Sequence, residues 1–168
     1  MKEQEREVAE QEERSRNIII FRAEESKKIR KDECERDESK FISGFLEKVG
    51  MDHISFDKIE RLGQKSNEKC RPLRFRVEDS RNKTATMEKL FHLKEAGAPY
   101  AKISVRHDLT PTQREELKKM IQEAKDQSEE TEHFLFLVRS RGAKWDPRII
   151  RVKRREAAQV GPKTQESR

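Results

Sequence analysis

Residues 71–79, RPLRFRVED, alternate without a break: Leu73, Phe75 and Val77 fall on one side of an extended chain, and Arg74 and Arg76 on the other. A period of two marks a strand with one face turned to a core and one turned away. A single hairpin cannot cover three large apolar side chains, so the chain must build a sheet with a second layer packed on one side of it. Composition limits that layer. Leu, Ile, Val and Phe make up 35 of 168 residues while 43% are charged, so one modest core is expected and part of the chain is solvated.

The remaining elements follow from the N-terminus. Residues 1–16 are almost wholly Glu, Gln, Lys and Arg, which favours a helix with nothing to bury, either a frayed leader or the end of a coiled coil. NIIIF at 17–21 is a β-branched and aromatic run that reads as a buried strand. The charged stretch that follows, up to residue 37, has no period and reads as a long loop. From 38 to 49, Ile42, Phe45, Leu46 and Val49 recur at helical spacing, with Gly50 as the stop.

HISFDKIERLG and RPLRFRVED then read as a hairpin joined by the polar turn QKSNEKC. A helix over 82–96 is expected, with Met87, Leu90, Leu93 and Phe91 as its inward candidates, followed by a fourth strand in YAKISVRHDL. The order is βαββαβ, and right-handed crossovers lay such an order out as four antiparallel strands with both helices on one face. The expected fold class is therefore α+β, a ferredoxin-like (RRM-like) sandwich. Its first and third strands would lie side by side in the centre.

LTPTQREELKKMIQEAKDQ carries the clearest helix start in the chain, with Thr110 as cap, Pro111 in the first position and Gln113 three residues after the cap. HFLFLVRSR and RIIRVKRR read as two more strands joined through GAKWDP, which completes a small αββ unit. The expected divisions are a charged leader at 1–16, an RRM-like domain at 17–109, a basic C-terminal unit at 110–155 and a disordered tail at 156–168.

Charge is the main functional clue. The net charge is only +6, but between 133 and 155 Arg139, Arg141, Lys144, Arg148, Arg151, Lys153, Arg154 and Arg155 face the single acid Asp146. A run of that kind suits a polyanion, and arginine in particular grips phosphate and stacks on bases. On the open sheet face Arg74, Arg76, Lys102 and Arg106 would point outward, and Lys65, Lys69 and Arg71 in and beside the hairpin turn would catch a nucleic-acid backbone. Two registers are open for the first strand. In one, Ile19 and Phe21 join that face; in the other they turn inward and the face is purely electrostatic.

Each of these residues also fits a plainer role. Alternating arginines on a half-exposed strand are most often a solvated face, and Trp145, the one tryptophan, either stacks a base or plugs the edge of a small core. His107 and Asp108 have no third ligand at a useful spacing, and Asp108 reads as a turn residue before the helix. Cys34 and Cys70 are 36 residues apart with no CxxC, which suits a reducing compartment, and no phosphate-loop, nucleophile-elbow or zinc-protease motif is present. No cofactor and no catalysis are expected. With no signal-peptide or membrane-spanning run either, the expectation is a soluble intracellular chain that meets no membrane.

RNIIIF, IERLGQK followed by CRPLRFRV, and ISVRHDLTPTQRE occur in an order and spacing that resemble a known family, across roughly residues 16–155. It is the RNA-binding protein of the first open reading frame of LINE-type, non-LTR retrotransposons. The resemblance implies an RRM-like domain with a small C-terminal domain and an upstream coiled coil that self-associates. It also implies single-stranded RNA binding, with single-stranded DNA as a second substrate, coating of the element's transcript and nucleic-acid chaperone activity. The setting would be a cytoplasmic ribonucleoprotein with access to the nucleus.

By position, the resemblance favours Arg71, Arg74, Arg76 and Arg106, then the basic strand at 148–155. Two departures stand out. The outward aromatics usual on the third strand of an RRM are replaced by Pro72, Arg74 and Arg76, which favours a phosphate-led grip, and the coiled coil is reduced to sixteen charged residues. A protein-interaction module built on the same fold is the alternative function.

Overall fold

The computed structural model describes residues 1–140 and 145–155. In chain order its elements are α1 (Lys2–Arg14), β1 (Asn17–Phe21), α2 (Lys31–Lys48), β2 (Phe56–Arg61), β3 (Leu73–Val77), α3 (Ser80–Glu88), β4 (Ser104–His107), α4 (Pro111–Glu129), β5 (Phe134–Ser140) and β6 (Pro147–Lys153). Short 3₁₀ turns at Leu90–Glu95 and Tyr100–Lys102 join α3 to β4. Arg141, Lys144 and the tail at 156–168 lie outside the described residues.

The chain is α+β, with a four-stranded antiparallel sheet in the order β2-β3-β1-β4 and a separate β5-β6 hairpin. Pairing fixes the register that the sequence left open. Ile18 opposes Phe75 and Ile20 opposes Leu73, and all four are fully buried, so Ile19 and Phe21 fall on the opposite face. Against Ile18, Ile20, Leu73, Phe75 and Val77 pack Ile42, Phe45, Leu46 and Val49 from the end of α2, with Met51, Ile54 and Leu93 closing the sides. Phe75 sits at the centre, edge-on to Phe45 at 6.1 Å and to Phe56 at 6.0 Å.

Three expectations are corrected. The charged stretch before residue 38 is not all loop, because α2 begins at Lys31. Its first turns bury no apolar face and are held by polar contacts instead: Asp32 and Glu33 complement the helix N-terminus, and Asp37 accepts from Ser26 and Lys28. The helix expected over 82–96 ends at Glu88 and continues as 3₁₀ turns, where the three-residue step from Leu90 to Leu93 suits the tighter winding; Phe91 is exposed. Lys102 lies in the turn before β4 and not in the strand.

The leader is helical, and although it buries no residue it is tied to the rest of the chain. Arg14 Nη1 donates to Asp108 Oδ1 and to the Leu109 carbonyl, each at 3.0 Å, and the Thr110 hydroxyl donates to Glu7. The capping box at Thr110 and Gln113 is formed as the sequence indicates. Asp108 lies in the connection before α4, as expected, and is buried there, accepting from Arg14, from Asn17 Nδ2 at 2.8 Å and from Arg74 Nη1 at 3.2 Å.

Candidate nucleic-acid interface

The face of the sheet opposite the core is built by the other half of each alternation. Ile19 pairs with Arg74 on one side and Arg106 on the other, so an arginine, an isoleucine and an arginine form a row across three strands. Arg76 lies opposite Asn17, next to that row. Arg106 is exposed, and its guanidinium lies over the Phe21 ring at 5.2 Å, a cation–π contact. Ile19 is only 9% exposed, so its neighbours cover it and the face offers one aromatic, Phe21.

β2 supplies what the sequence reading missed, a row of acids. Arg76 donates through Nε and Nη2 to both oxygens of Asp57, at 2.8 and 2.6 Å. Arg74 donates to Glu60 and to the buried Asp108. Arg71, outside the strand, makes a forked pair with Glu25, its Nη2 2.8 Å from Oε2. These pairs shift the groups involved. Arg71 holds the Glu25 carboxyl down to about 2, and the Arg76 guanidinium keeps Asp57 below the ordinary aspartate value. Burial alone would lower Arg74, but Glu60 and Asp108 more than offset it and its pKa is raised.

The acids were legible in principle. Asp57 and Glu60 sit three apart in a strand otherwise read by its apolar residues, and they face one side only because β2 bulges between them, with Lys58 at φ +48°. A further arginine, Arg61, is structural. Its side chain is 5% exposed and donates to Glu38 at 2.8 Å and to the carbonyls of Ala23, Glu24 and Arg71.

The remaining candidates fall into two places. Lys65 and Lys69 are exposed in the β2–β3 connection. Arg139, Arg148, Arg151, Lys153, Arg154 and Arg155 all lie on or just beyond the β5-β6 hairpin and are exposed. Arg139 and Arg148 are direct cross-strand partners, an unfavourable like-charge pair that Asp146 relieves through Arg148 alone. Arg151 lies over Phe134 at 4.6 Å. Arg154 ties the hairpin to α4, donating to the carbonyls of Phe134 and Ser128. Of the candidates among the described residues, only Arg71, Arg74, Arg76 and Arg148 pair with a carboxylate; Lys65, Lys69, Lys102, Arg106, Arg139, Arg151, Lys153, Arg154 and Arg155 do not. Trp145 is half-buried and meets His107 edge-on at 6.0 Å, away from the arginine row.

No protein-family model and no curated protein matches the chain. No helix among the described residues is long and apolar enough to cross a membrane.

Proposed function

We propose that the chain is a non-catalytic single-stranded RNA-binding module on a ferredoxin-like, RRM-like sheet, of the kind carried by LINE-type retrotransposon ribonucleoproteins, with chaperone activity on the bound strand. The observation that carries this reading is the hairpin. Six exposed cations cluster on and beside β5 and β6, with Asp146 the single acid between residues 133 and 155, and one of them stacks on an aromatic ring. A polyanion relieves the Arg139–Arg148 opposition, and among the described residues only Arg148 on β6 already holds a carboxylate, that of Asp146. On the sheet, Arg106 over Phe21 offers the same combination of a guanidinium and a flat ring, which suits unpaired bases more than duplex. Arg74 and Arg76 serve second, because phosphate must displace the acids they already hold.

The test is fluorescence anisotropy of a labelled single-stranded RNA of about 20 nucleotides, titrated at several salt concentrations, with Arg106→Ala and Arg151→Ala. Affinity that falls steeply with salt and weakens in both variants supports the reading. Unchanged affinity in the folded double variant overturns the assignment.

A protein-interaction role has one observation in its favour: Leu135, Ile150 and Val152 are each more than a third exposed on one face of the hairpin. Absence of RNA binding at low salt would favour that role.

A further inference from the structure

A cavity of about 370 Å³ lies between α1, the starts of α3 and α4, the end of β4 and Trp145, and none of Arg74, Arg76 or Arg106 lines it. Its walls hold polar groups that the fold does not use. Lys83, on α3, is 1% exposed and has no carboxylate within ion-pair distance among the described residues. His107 Nδ1 and Trp145 Nε1 are buried with no hydrogen-bond partner among the described residues. An indole N–H can only donate, and a buried donor without an acceptor is costly, so the Trp145 N–H is left without its acceptor and the Lys83 ammonium without a counter-ion at ion-pair distance.

Ser80 opens α3 and Gln113 lies in the first turn of α4, so the positive ends of two helices border the same space. Two carboxylates also line it. The oxygens of Asp108 are already engaged by Arg14, Asn17 and Arg74, and Glu12 is exposed, on α1. Val8, Leu109 and the indole of Trp145 give the remaining wall its apolar part, beside the polar Gln11 and Ser15 of α1 and its cap, and the volume exceeds what a bare oxyanion fills.

We infer that this cavity binds a phosphate monoester of mononucleotide size, its phosphate accepting from Lys83 and the Trp145 N–H and its planar body lying among the apolar walls. Burial lowers Lys83 to about 8, and a phosphate beside it would favour its charged form. His107, held neutral by burial and by Lys83, stays free to adopt whichever tautomer the ligand requires. The same chemistry is offered by a free nucleotide or by the terminal phosphate of a nucleic-acid strand, and the experiment separates them.

Trp145 is the sole tryptophan and therefore a built-in reporter. The full chain is titrated with a nucleoside 5′-monophosphate, the matching nucleoside, and a short oligoribonucleotide with or without a 5′-phosphate, and followed by Trp145 emission and by calorimetry. The expected result is saturable binding of the monophosphate, at least about tenfold tighter than the nucleoside, as a charged hydrogen bond implies. Lys83→Met should weaken the monophosphate by a similar factor and leave the nucleoside unchanged. A 5′-phosphate preference in the oligonucleotide arm identifies a strand end as the ligand, and its absence beside monophosphate binding identifies a free nucleotide. Equal binding of nucleoside and monophosphate, unaltered monophosphate affinity in the variant, or no saturable signal by either method at millimolar ligand overturns the inference. The wild-type comparison stands whether or not the variant folds.

Discussion

Replacing Lys83 by Met should stabilise the protein, and by an amount that depends on pH in a defined way. Lys83 is 1% exposed and burial lowers its pKa from 10.5 to about 8. At about 1.4 kcal/mol per pKa unit, keeping this ammonium in the folded state costs about 3 kcal/mol. The sign follows from proton counting. Between pH 8 and 10.5 the unfolded chain binds the proton that the folded chain has released, so stability rises with pH across that window. Below 8 the lysine is charged in both states and the full cost is present; above 10.5 it is neutral in both and the cost is gone.

Met keeps the length of the side chain without the charge. The expected gain is therefore about 3 kcal/mol at pH 7, shrinking steadily from pH 8 to 10. Asp108 supports the charge, as the second influence on the Lys83 pKa, so the gain should grow if Asp108 is neutralised as well. Urea unfolding of wild type and variant at pH 7, 8, 9 and 10 gives the difference directly, and the other lysines cancel in it. A loss of stability at pH 7, or a gain that does not change with pH, would refute the argument that an uncompensated charge is buried at this position.

Other expectations test other parts of the molecule. Burial, then the charge of Lys83, lowers His107 from 6.5 to about 4, so the unfolded chain takes up a proton first as pH falls and stability is lost between 6.5 and 4; His107→Gln should flatten that limb of an acid unfolding curve. Arg61→Met should cost about 3 kcal/mol in denaturant unfolding, since it strands Glu38 and leaves the carbonyls of Ala23, Glu24 and Arg71 without their donor. Asp57→Asn should tighten RNA binding and steepen the log–log salt dependence by about 0.7, one additional phosphate contact, measured by anisotropy.

Much of the frame was legible because it rests on apolar periodicity. The alternation at Leu73, Phe75 and Val77 is the alternation of the buried strand, and the capping box at Thr110 starts α4 where the sequence places it. What escaped notice is held by charge. The first turns of α2 carry no apolar stripe, and the carboxylates of Asp37 and Glu38 anchor them through Lys28 and Arg61, contacts with no local pattern. In the same way Asp108 takes its partners from α1, β1 and β3, and Lys83 is buried in a helix whose spacing pointed to Met87 as an inward residue. The register of β1 could not be read from three consecutive isoleucines and needed the pairing with β3 to settle it.

The acids on β2 also rank the two arginines that first drew attention to the sheet. An exposed ion pair contributes at most about 1 kcal/mol, so a phosphate can replace its acid at little cost. Arg76 is in that position: Asp57 is largely exposed, and only Nε and Nη2 of the guanidinium are engaged. Arg74 is not. It donates through Nε and Nη2 to Glu60 and through Nη1 to Asp108, whose side chain is 4% exposed and which also anchors Arg14 and Asn17. Freeing Arg74 from Glu60 still leaves it held by a buried carboxylate that cannot be left unpaired. Glu60→Gln should therefore change RNA affinity and its salt dependence less than Asp57→Asn. If the two substitutions act equally, Arg74 is releasing Asp108 on binding, and the contact that ties the leader helix to the sheet moves with it.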